Sequence, residues 1–321
     1  MPFKKLLLAF SLLLFTQVII AQSDKVDSLR NLLKDSKGYD KLQLLFKLSE
    51  LKENEPEGIE YAKDAVDVAK KLDDKAKADA EYNLGFVYSS QYDNIKALER
   101  FNKSLEISNK SNYILGEFRA LKGISEFYLD LDSLELSEKI SNQLLKLARD
   151  RDSIKHQANA YFILGVICDR KGQADSALIL LNKALELRKS IGNQIDIATT
   201  YNGIGRLYFD LADYQKAIDC YAKAITIRES INDPEALAIA YYNFGRTHTN
   251  IGNYQLALEQ FQKALQTFEK SGNNDGIARS CNGIGMVYEN LSQSTLAVKD
   301  NEANYNKSLE YYKRSLEIFQ S

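Results

Sequence analysis

A forty-residue period in small residues is the feature that most constrains how this chain can fold. After Gly205 come Ala217, Tyr221 and Ala224, and the other units place small and aromatic residues at the same offsets. The anchor positions of the pattern are Gly85, Ser125, Gly165, Gly205, Gly245 and Gly285. Such a period predicts stacked copies of one small unit, each burying its apolar face against its neighbours, so no single large core is needed.

The spacing of apolar residues inside each unit predicts helices. Ala217, Tyr221, Ala224 and Ile225 recur at intervals of three and four, which places them on one face of a helix, whereas a strand would alternate. Glycine and alanine at facing positions let two helix backbones approach, and tyrosine or phenylalanine fills the space beside them. The predicted fold class is all-α, an α-α superhelical solenoid of stacked antiparallel helix hairpins.

The residues between units support this interpretation. Gly192, Asn232 and Gly272 occupy one register after the second helix of a unit, where a helix C-cap needs a positive φ. Pro234 follows shortly after and suits the first turn of the next helix. Turn chemistry and periodicity therefore predict the same helix boundaries.

The unit resembles the tetratricopeptide repeat, since Gly85, Tyr88, Ala97 and Phe101 stand at the spacings of that family, and the resemblance covers roughly Asp40 to the C-terminus. The usual unit has 34 residues and a tryptophan at its fourth position, whereas this chain has no tryptophan and repeats every forty residues. The additional residues lengthen the helices of each unit by about 9 Å in total. This longer variety resembles the repeats of peptide-binding adaptors and the exported input regions of bacterial sensor histidine kinases.

The predicted organisation has three parts. Residues 1–21 form a signal peptide, residues 22–39 form a helical lead-in, and residues 40–321 form a solenoid of about seven repeats. The predicted repeats span residues 40–77, 78–117, 118–157, 158–197, 198–237, 238–277 and 278–321.

Two repeats depart from the pattern. In the third, Ser125, Ser137 and Ser141 stand where glycine, alanine and phenylalanine stand elsewhere, and looser packing is expected. In the last, Ser308 and Tyr312 come eleven residues late, which indicates an insertion near residues 292–307. Either about three extra helical turns or a protruding loop would accommodate it.

The N-terminal segment predicts export. It combines two lysines with an apolar run from Leu6 to Ile20 that is interrupted by Thr16 and Gln17. The run is short for a membrane-spanning helix and fits the apolar region of a secretory signal peptide cleaved near Ala21, with an uncleaved anchor as the alternative. The predicted location is the periplasm or the cell envelope.

Charge and composition argue against nucleic acid as a partner. Loss of residues 1–21 removes Lys4 and Lys5 and no acid, which changes the formal charge from −2 to −4. A weak, mixed charge gives no field for binding phosphates. Cys168, Cys220 and Cys281 lie in different repeats without a CxxC motif, so they predict no disulfide framework.

The sequence offers no residues that would carry catalysis, and we expect no enzyme, no cofactor and no metal site. His156 and His248 are the only histidines and lie in no zinc-binding or triad context. The two GxG motifs, at residues 203–205 and 283–285, lie inside predicted helices and lack a third glycine, so packing explains them better than dinucleotide binding.

The remaining candidate is a binding surface. In the family that the chain resembles, the second, fifth, sixth, ninth and twelfth positions of each first helix contact ligands in the concave groove. The polar residues at those positions here are Asn83, Arg119, Asp169, Asn202, Arg206, Asn243, Arg246, Arg279 and Asn282. Asparagine amides can hold a peptide backbone, and arginines can grip a carboxylate. The predicted partner is a protein or peptide, with an acidic peptide expected across repeats five to seven.

Two functions remain open from the sequence. The first is an exported, non-catalytic scaffold that binds a protein or peptide. The second is the extracytoplasmic sensory or input region of a truncated signalling protein, of the histidine kinase or transcription regulator type, which would meet the membrane only through a missing domain or an uncleaved leader. Tyr312, Leu316 and Phe319 form an apolar stripe on the last helix, and we expect self-association there or docking of a lost domain.

Overall fold

The computed structural model describes residues 25–294 and 298–320, and the predicted signal peptide lies outside these ranges. Helix α1 spans residues 25–35. It is followed by α2 Gly38–Leu51, α3 Pro56–Ala69, α4 Asp74–Ser90, α5 Asn94–Lys110, α6 Ile114–Asp130, α7 Leu134–Asp150, α8 Ile154–Arg170, α9 Ala174–Ile191, α10 Gln194–Asp210, α11 Tyr214–Ser230, α12 Pro234–Asn250, α13 Tyr254–Ser271, α14 Asn274–Ser294 and α15 Val298–Gln320. These ranges contain no strand, and the predicted fold class of stacked helix hairpins is confirmed.

The helices form two compact units, one ending at Leu187 and one beginning at Arg188. Successive helices pack on one another from α2 to α8 and from α10 to α15, as α4 does on α5 and α10 on α11. First helices of successive hairpins also contact one another: α2 contacts α4, α4 contacts α6, and α6 contacts α8 in the first unit, while α10 contacts α12 and α12 contacts α14 in the second. Each unit therefore presents a row of neighbouring first helices.

The anchor glycines allow the two helices of a hairpin to approach. A Cβ atom at Gly205 would lie 2.8 Å from the ring of Tyr221, and one at Gly85 would lie 2.8 Å from the ring of Phe101. Gly283 is packed in the same way, since a Cβ atom there would lie 2.7 Å from the ring of Phe261. Helix packing thus explains Gly205 in one GxG motif and Gly283 in the other.

The third hairpin is closed by hydrogen bonds where the sequence suggested loose packing. Ser125, Ser137 and Ser141 are all fully buried. The Ser125 hydroxyl lies 2.5 Å from that of Ser141, and the Ser137 hydroxyl donates to the Ser125 carbonyl at 2.8 Å. Hydrogen bonds between the two helices thus take the place of the aromatic contact found in other hairpins, and looser packing of this hairpin stays a prediction.

The last hairpin is longer than the others. Helices α10 and α12 end at Asp210 and Asn250, forty residues apart, whereas α14 continues past the equivalent position to Ser294. Helix α15 has 23 residues, and α11 has 17. A Cβ atom at Gly285 would lie 2.8 Å from the Tyr312 ring, so the delayed tyrosine fills the expected place. In the described residues, the additional length extends both helices.

The period is also present in the backbone of the turns. The predicted C-cap residues Gly192, Asn232 and Gly272 all have positive φ, between 53° and 76°. Asn112 and Asp152 adopt this conformation at the same register of earlier hairpins. The turn inside five hairpins, from α4–α5 to α12–α13, repeats it at Tyr92, Asp132, Gly172, Ala212 and Gly252. The repeat thus imposes a left-handed residue even where the side chain disfavours it.

Tyrosine occupies the fourth position of several first helices, where the family has tryptophan. A lysine 22 residues later places its ammonium over the ring: Lys183 lies 4.7 Å from the centroid of Tyr161, and Lys223 lies 5.5 Å from that of Tyr201. The pair of Tyr241 and Lys263 repeats the contact at 5.4 Å. This cation–π contact is a regular part of the hairpin.

An apolar stripe on α15 is largely exposed. Leu316 and Phe319 are 56% and 63% exposed, and Tyr305 is also exposed, whereas Tyr312 is half-buried against the preceding helix. Self-association through this stripe stays a prediction. None of the helices in the described ranges combines the length and apolar character that crossing a membrane requires.

Candidate functional site

A groove opens on the first helices of the first unit, where α2, α4 and α6 run side by side. Its volume is about 720 Å³. All but one of its lining residues belong to these three helices, the exception being Glu53 in the turn after α2. This surface, the α2–α4–α6 groove, is lined by Gln43, Phe46, Lys47, Glu50, Glu53, Asp79, Tyr82, Asn83, Phe86 and Arg119.

Asn83 is held in a fixed orientation at the floor of the groove. Its side chain is only 6% exposed, and its Oδ1 accepts a hydrogen bond of 2.9 Å from the hydroxyl of Ser49, a fully buried residue of α2. In the described part of the chain this is the hydrogen bond that the Asn83 side chain makes, so its Nδ2 remains available to an occupant. A peptide carbonyl is a suitable acceptor for that donor.

Arg119 borders the groove but is engaged within the protein. Its Nη1 donates to Asp79 Oδ1 at 2.8 Å, and the hydroxyl of Tyr113 donates to Asp79 Oδ2 at 3.1 Å. Burial and the nearby charge of Asp79 raise the pKa of Tyr113. The sequence analysis predicted that Arg119 binds a ligand, but Asp79 on the neighbouring helix α4 already pairs with its charge.

Glu50 and Lys47 both line the groove without an ion-pair partner in the described residues. No Lys, Arg or His nitrogen in the described residues lies within ion-pair distance of the Glu50 carboxylate. The concave surroundings remove part of its hydration and raise its pKa, while the charge of Lys47 opposes the shift. Phe46, Tyr82 and Phe86 add three aromatic rings to the same lining, with Phe86 37% exposed.

A second polar surface lies on α10 and α12 in the other unit. Asn243 Nδ2 donates to Asn202 Oδ1 at 3.2 Å, which links two predicted site residues. The Arg246 guanidinium lies 4.5 Å from the centroid of Phe209 and 5.9 Å from that of Tyr242. This α10–α12 surface therefore joins an amide pair to an arginine that is stacked on rings.

The other predicted site residues are less clearly grouped. Arg279 on α14 is exposed and donates from Nε to Asp275 at 2.8 to 2.9 Å, and Asn282 on the same helix is also exposed. Arg206 on α10 is half-buried. Asp169 near the end of α8 is half-buried and does not line the α2–α4–α6 groove.

The groove residues that the sequence analysis missed occupy positions that it had named. Positions are counted along each repeat, with Gly85 as the eighth position of its repeat. Tyr82 and Phe86 are then the fifth and ninth positions on α4, and Phe46 is the ninth position on α2. Applying the family positions to aromatic as well as polar residues would have found them. Glu50, at the thirteenth position of α2, falls outside the pattern.

The histidines and cysteines serve packing. His156 stacks on Phe118 with ring centroids 3.7 Å apart, and burial lowers its pKa to about 4. Burial raises the pKa of the thiols of Cys220 and Cys281. Within the described residues, no group of three or more His, Cys, Asp and Glu side chains could hold a metal ion.

Residues 117–190 and 196–270 match the tetratricopeptide repeat family. These two stretches make up just under half of the chain, and over them the resemblance to the tetratricopeptide repeat is confirmed. The resemblance to histidine kinase input regions stays a prediction. No curated protein is significantly similar to this chain in sequence.

Three solved structures share the fold. NprR in complex with its cognate peptide NprX is 18% identical with a TM-score of 0.60, covering 100% of this chain and 94% of its own. A signal transduction ATPase with a tetratricopeptide repeat sensor, from Pyrococcus horikoshii, is 16% identical with a TM-score of 0.62, covering 87% and 41%. Aspartyl phosphate phosphatase F from Bacillus subtilis is 12% identical with a TM-score of 0.64, covering 87% and 71%. At these identities the likeness establishes the fold alone.

Proposed function

We propose that this protein is an exported, non-catalytic binding module that holds an extended segment of a protein or peptide against its first helices. The observation that carries the proposal is the α2–α4–α6 groove, which three successive first helices line almost completely. It combines aromatic rings with the oriented amide of Asn83, and such a combination suits an extended backbone with apolar side chains. The leader sequence supports export.

Two of the similar structures support binding, and one of them favours a second candidate function. NprR was solved with a bound peptide, which supports a peptide as the partner here. The ATPase from Pyrococcus horikoshii carries its repeats as a sensor. This favours, as the second candidate, the extracytoplasmic sensory region of a signalling protein, in which the bound peptide would be the signal.

Replacing Phe86 by alanine tests the groove. Peptides selected from a displayed random library against residues 22–321 are expected to bind the Phe86→Ala variant about tenfold more weakly, because truncating an aromatic anchor in a groove commonly costs more than 1 kcal/mol. Fluorescence polarisation with labelled peptides measures the change. The matched control is Ile179→Ala on α9, since Ile179 is 68% exposed and lies outside the groove. Undiminished binding of every selected peptide to Phe86→Ala would contradict the assignment.

We also propose that the α10–α12 surface, with Arg279 and Asn282 of α14, prefers an anionic peptide group. No carboxylate in the described residues forms an ion pair with Arg246, whose charge is stacked on Phe209. A guanidinium placed in this way can grip a carboxylate with two hydrogen bonds. A peptide side chain or a C-terminal carboxylate would supply that group.

Reversing the charges of Arg246 on α12 and of Arg206 on α10 tests this surface. The Arg206→Glu/Arg246→Glu variant is expected to bind an acidic partner peptide at least about tenfold more weakly at low salt, because two attractive contacts become repulsive. Lys270→Glu/Lys313→Glu makes the same change of charge on exposed positions of second helices and serves as the control. Thermal melting checks folding, and undiminished affinity at low salt would exclude this surface as the site.

A further inference from the structure

The charges of the α2–α4–α6 groove are unbalanced in favour of acid. Glu50, Glu53 and Asp79 contribute three carboxylates, and Lys47 and Arg119 contribute two cations. Arg119 and Tyr113 both bind Asp79, which leaves that pair neutral as a whole. The Glu50 carboxylate has no ion-pair partner within the described residues. The Glu50 carboxylate therefore attracts a positive charge that enters the groove, and the charge of Lys47, one turn earlier on α2, opposes part of this attraction.

The aromatic lining points to the same chemistry. Phe46 and Phe86 make no ring or cation contact with other described residues. Elsewhere in this protein tyrosine rings carry a lysine ammonium, as Tyr161 carries that of Lys183 at 4.7 Å. A carboxylate beside open aromatic faces provides both an ion-pair partner and a cation–π surface for an ammonium or guanidinium group.

We propose that the α2–α4–α6 groove binds a lysine or arginine side chain of the partner peptide, with the cationic group against Glu50. The aliphatic stem of that side chain packs on Phe46 and Phe86, and Asn83 Nδ2 donates to a carbonyl of the peptide backbone. This inference rests on the proposed function and specifies its partner. The groove is thus selective for a basic residue, whereas the α10–α12 surface is expected to select an acidic group.

The ionisation of Glu50 gives this site a defined pH dependence. The carboxylate must be charged to bind a cation, so affinity is present above its pKa and lost as the pH falls through it. Since partial burial raises the pKa of Glu50, the loss begins while an ordinary glutamate is still ionised. The ionisable groups that line the groove with Glu50 are Lys47, Glu53, Asp79, Tyr82 and Arg119.

The test uses blocked heptapeptides of the form Ser-Leu-Ala-X-Ala-Leu-Ser, acetylated and amidated, with lysine, arginine, glutamine or glutamate at X. The full mature chain is expected to bind the lysine and arginine peptides about fivefold more tightly than the glutamine peptide and to bind the glutamate peptide least. Titration followed by heteronuclear NMR measures these affinities and identifies the helices whose signals shift. Raising the salt concentration is expected to reduce the difference in affinity between the lysine and glutamine peptides.

Two isosteric substitutions decide the role of Glu50. Glu50→Gln is expected to abolish the preference for lysine over glutamine and its pH dependence. Glu60→Gln removes an exposed carboxylate from α3, outside the groove, and is expected to preserve the preference. Equal affinity of the wild type for the lysine and glutamine peptides overturns the cation assignment and leaves peptide binding intact. Signal shifts confined to helices other than α2, α4 and α6 overturn the location.

Discussion

Replacing Ser141 by phenylalanine is expected to destabilise the third hairpin by about 3 kcal/mol. Ser141 is fully buried and its hydroxyl lies 2.5 Å from that of Ser125. In other hairpins the aromatic residue at this register faces a glycine, as Phe261 faces Gly245. With Ser125 in the glycine place a ring overfills the contact, which costs about 1–3 kcal/mol. Loss of the hydroxyl removes one hydrogen bond, worth about 0.5–1.5 kcal/mol more, while Ser125 keeps its bond to the Ser137 carbonyl. Urea unfolding followed by circular dichroism measures the loss.

The chain itself provides the control for this prediction. Ser125→Gly, Ser137→Ala and Ser141→Phe together install the trio that Gly245, Ala257 and Phe261 form in another hairpin. This triple variant is expected to fall within about 1 kcal/mol of the wild type, since a glycine within a helix costs about that much. If the triple variant is no more stable than Ser141→Phe alone, the size complementarity between the two positions is refuted.

The fold was predictable from the sequence because the repeat encodes it more than once. The glycines mark close helix contacts and the cap residues mark turns, so Gly245 and Gly272 carry independent evidence for the same hairpin. The hydrogen bonds of the serine contact could not be predicted, because they depend on three hydroxyls of two helices facing one another. The insertion was undecided because its composition suits a helix or a loop, and only the register of Tyr312 against Gly285 shows how the helices extend.

The candidate site was only partly predictable. The ligand-contacting positions of the family predicted Asn83 and Arg119 as site residues, and both line the α2–α4–α6 groove. It could not show that Arg119 is matched by Asp79, forty residues earlier, because that contact joins neighbouring hairpins. The same limit applies to Arg246, whose stacking on Phe209 crosses from α12 to α10. The role of Glu50 depends on its lack of an ion-pair partner in the described residues, which a single sequence does not reveal.

Removing both cations that surround Glu81 is expected to destabilise the second hairpin by about 3–5 kcal/mol, the usual cost of leaving a buried charge without its partner. Glu81 occupies the fourth position of α4 and is 3% exposed. Its Oε2 accepts from Arg100 Nη1 at 3.1 Å, and its Oε1 lies 2.6 Å from Lys103 Nζ. The Arg100→Met/Lys103→Met variant keeps most of the side-chain volume and removes both charges. Amide hydrogen exchange of α4 and α5 measures the local loss, since each repeat can open separately.

The third hairpin indicates how this loss can be reversed. Leu121 occupies the register of Glu81 on α6 and is buried without any charge. Adding Glu81→Leu to the methionine variant removes the stranded carboxylate, and an apolar cluster of similar volume often matches or exceeds the stability of a buried ion pair. The triple variant is therefore expected to return to within about 1 kcal/mol of the wild type or above it. The Arg100→Met/Lys103→Met change can be made with either glutamate or leucine at residue 81. If it lowers the free energy of unfolding equally in both, the loss comes from packing, and Arg100 and Lys103 do not act by stabilising the buried charge.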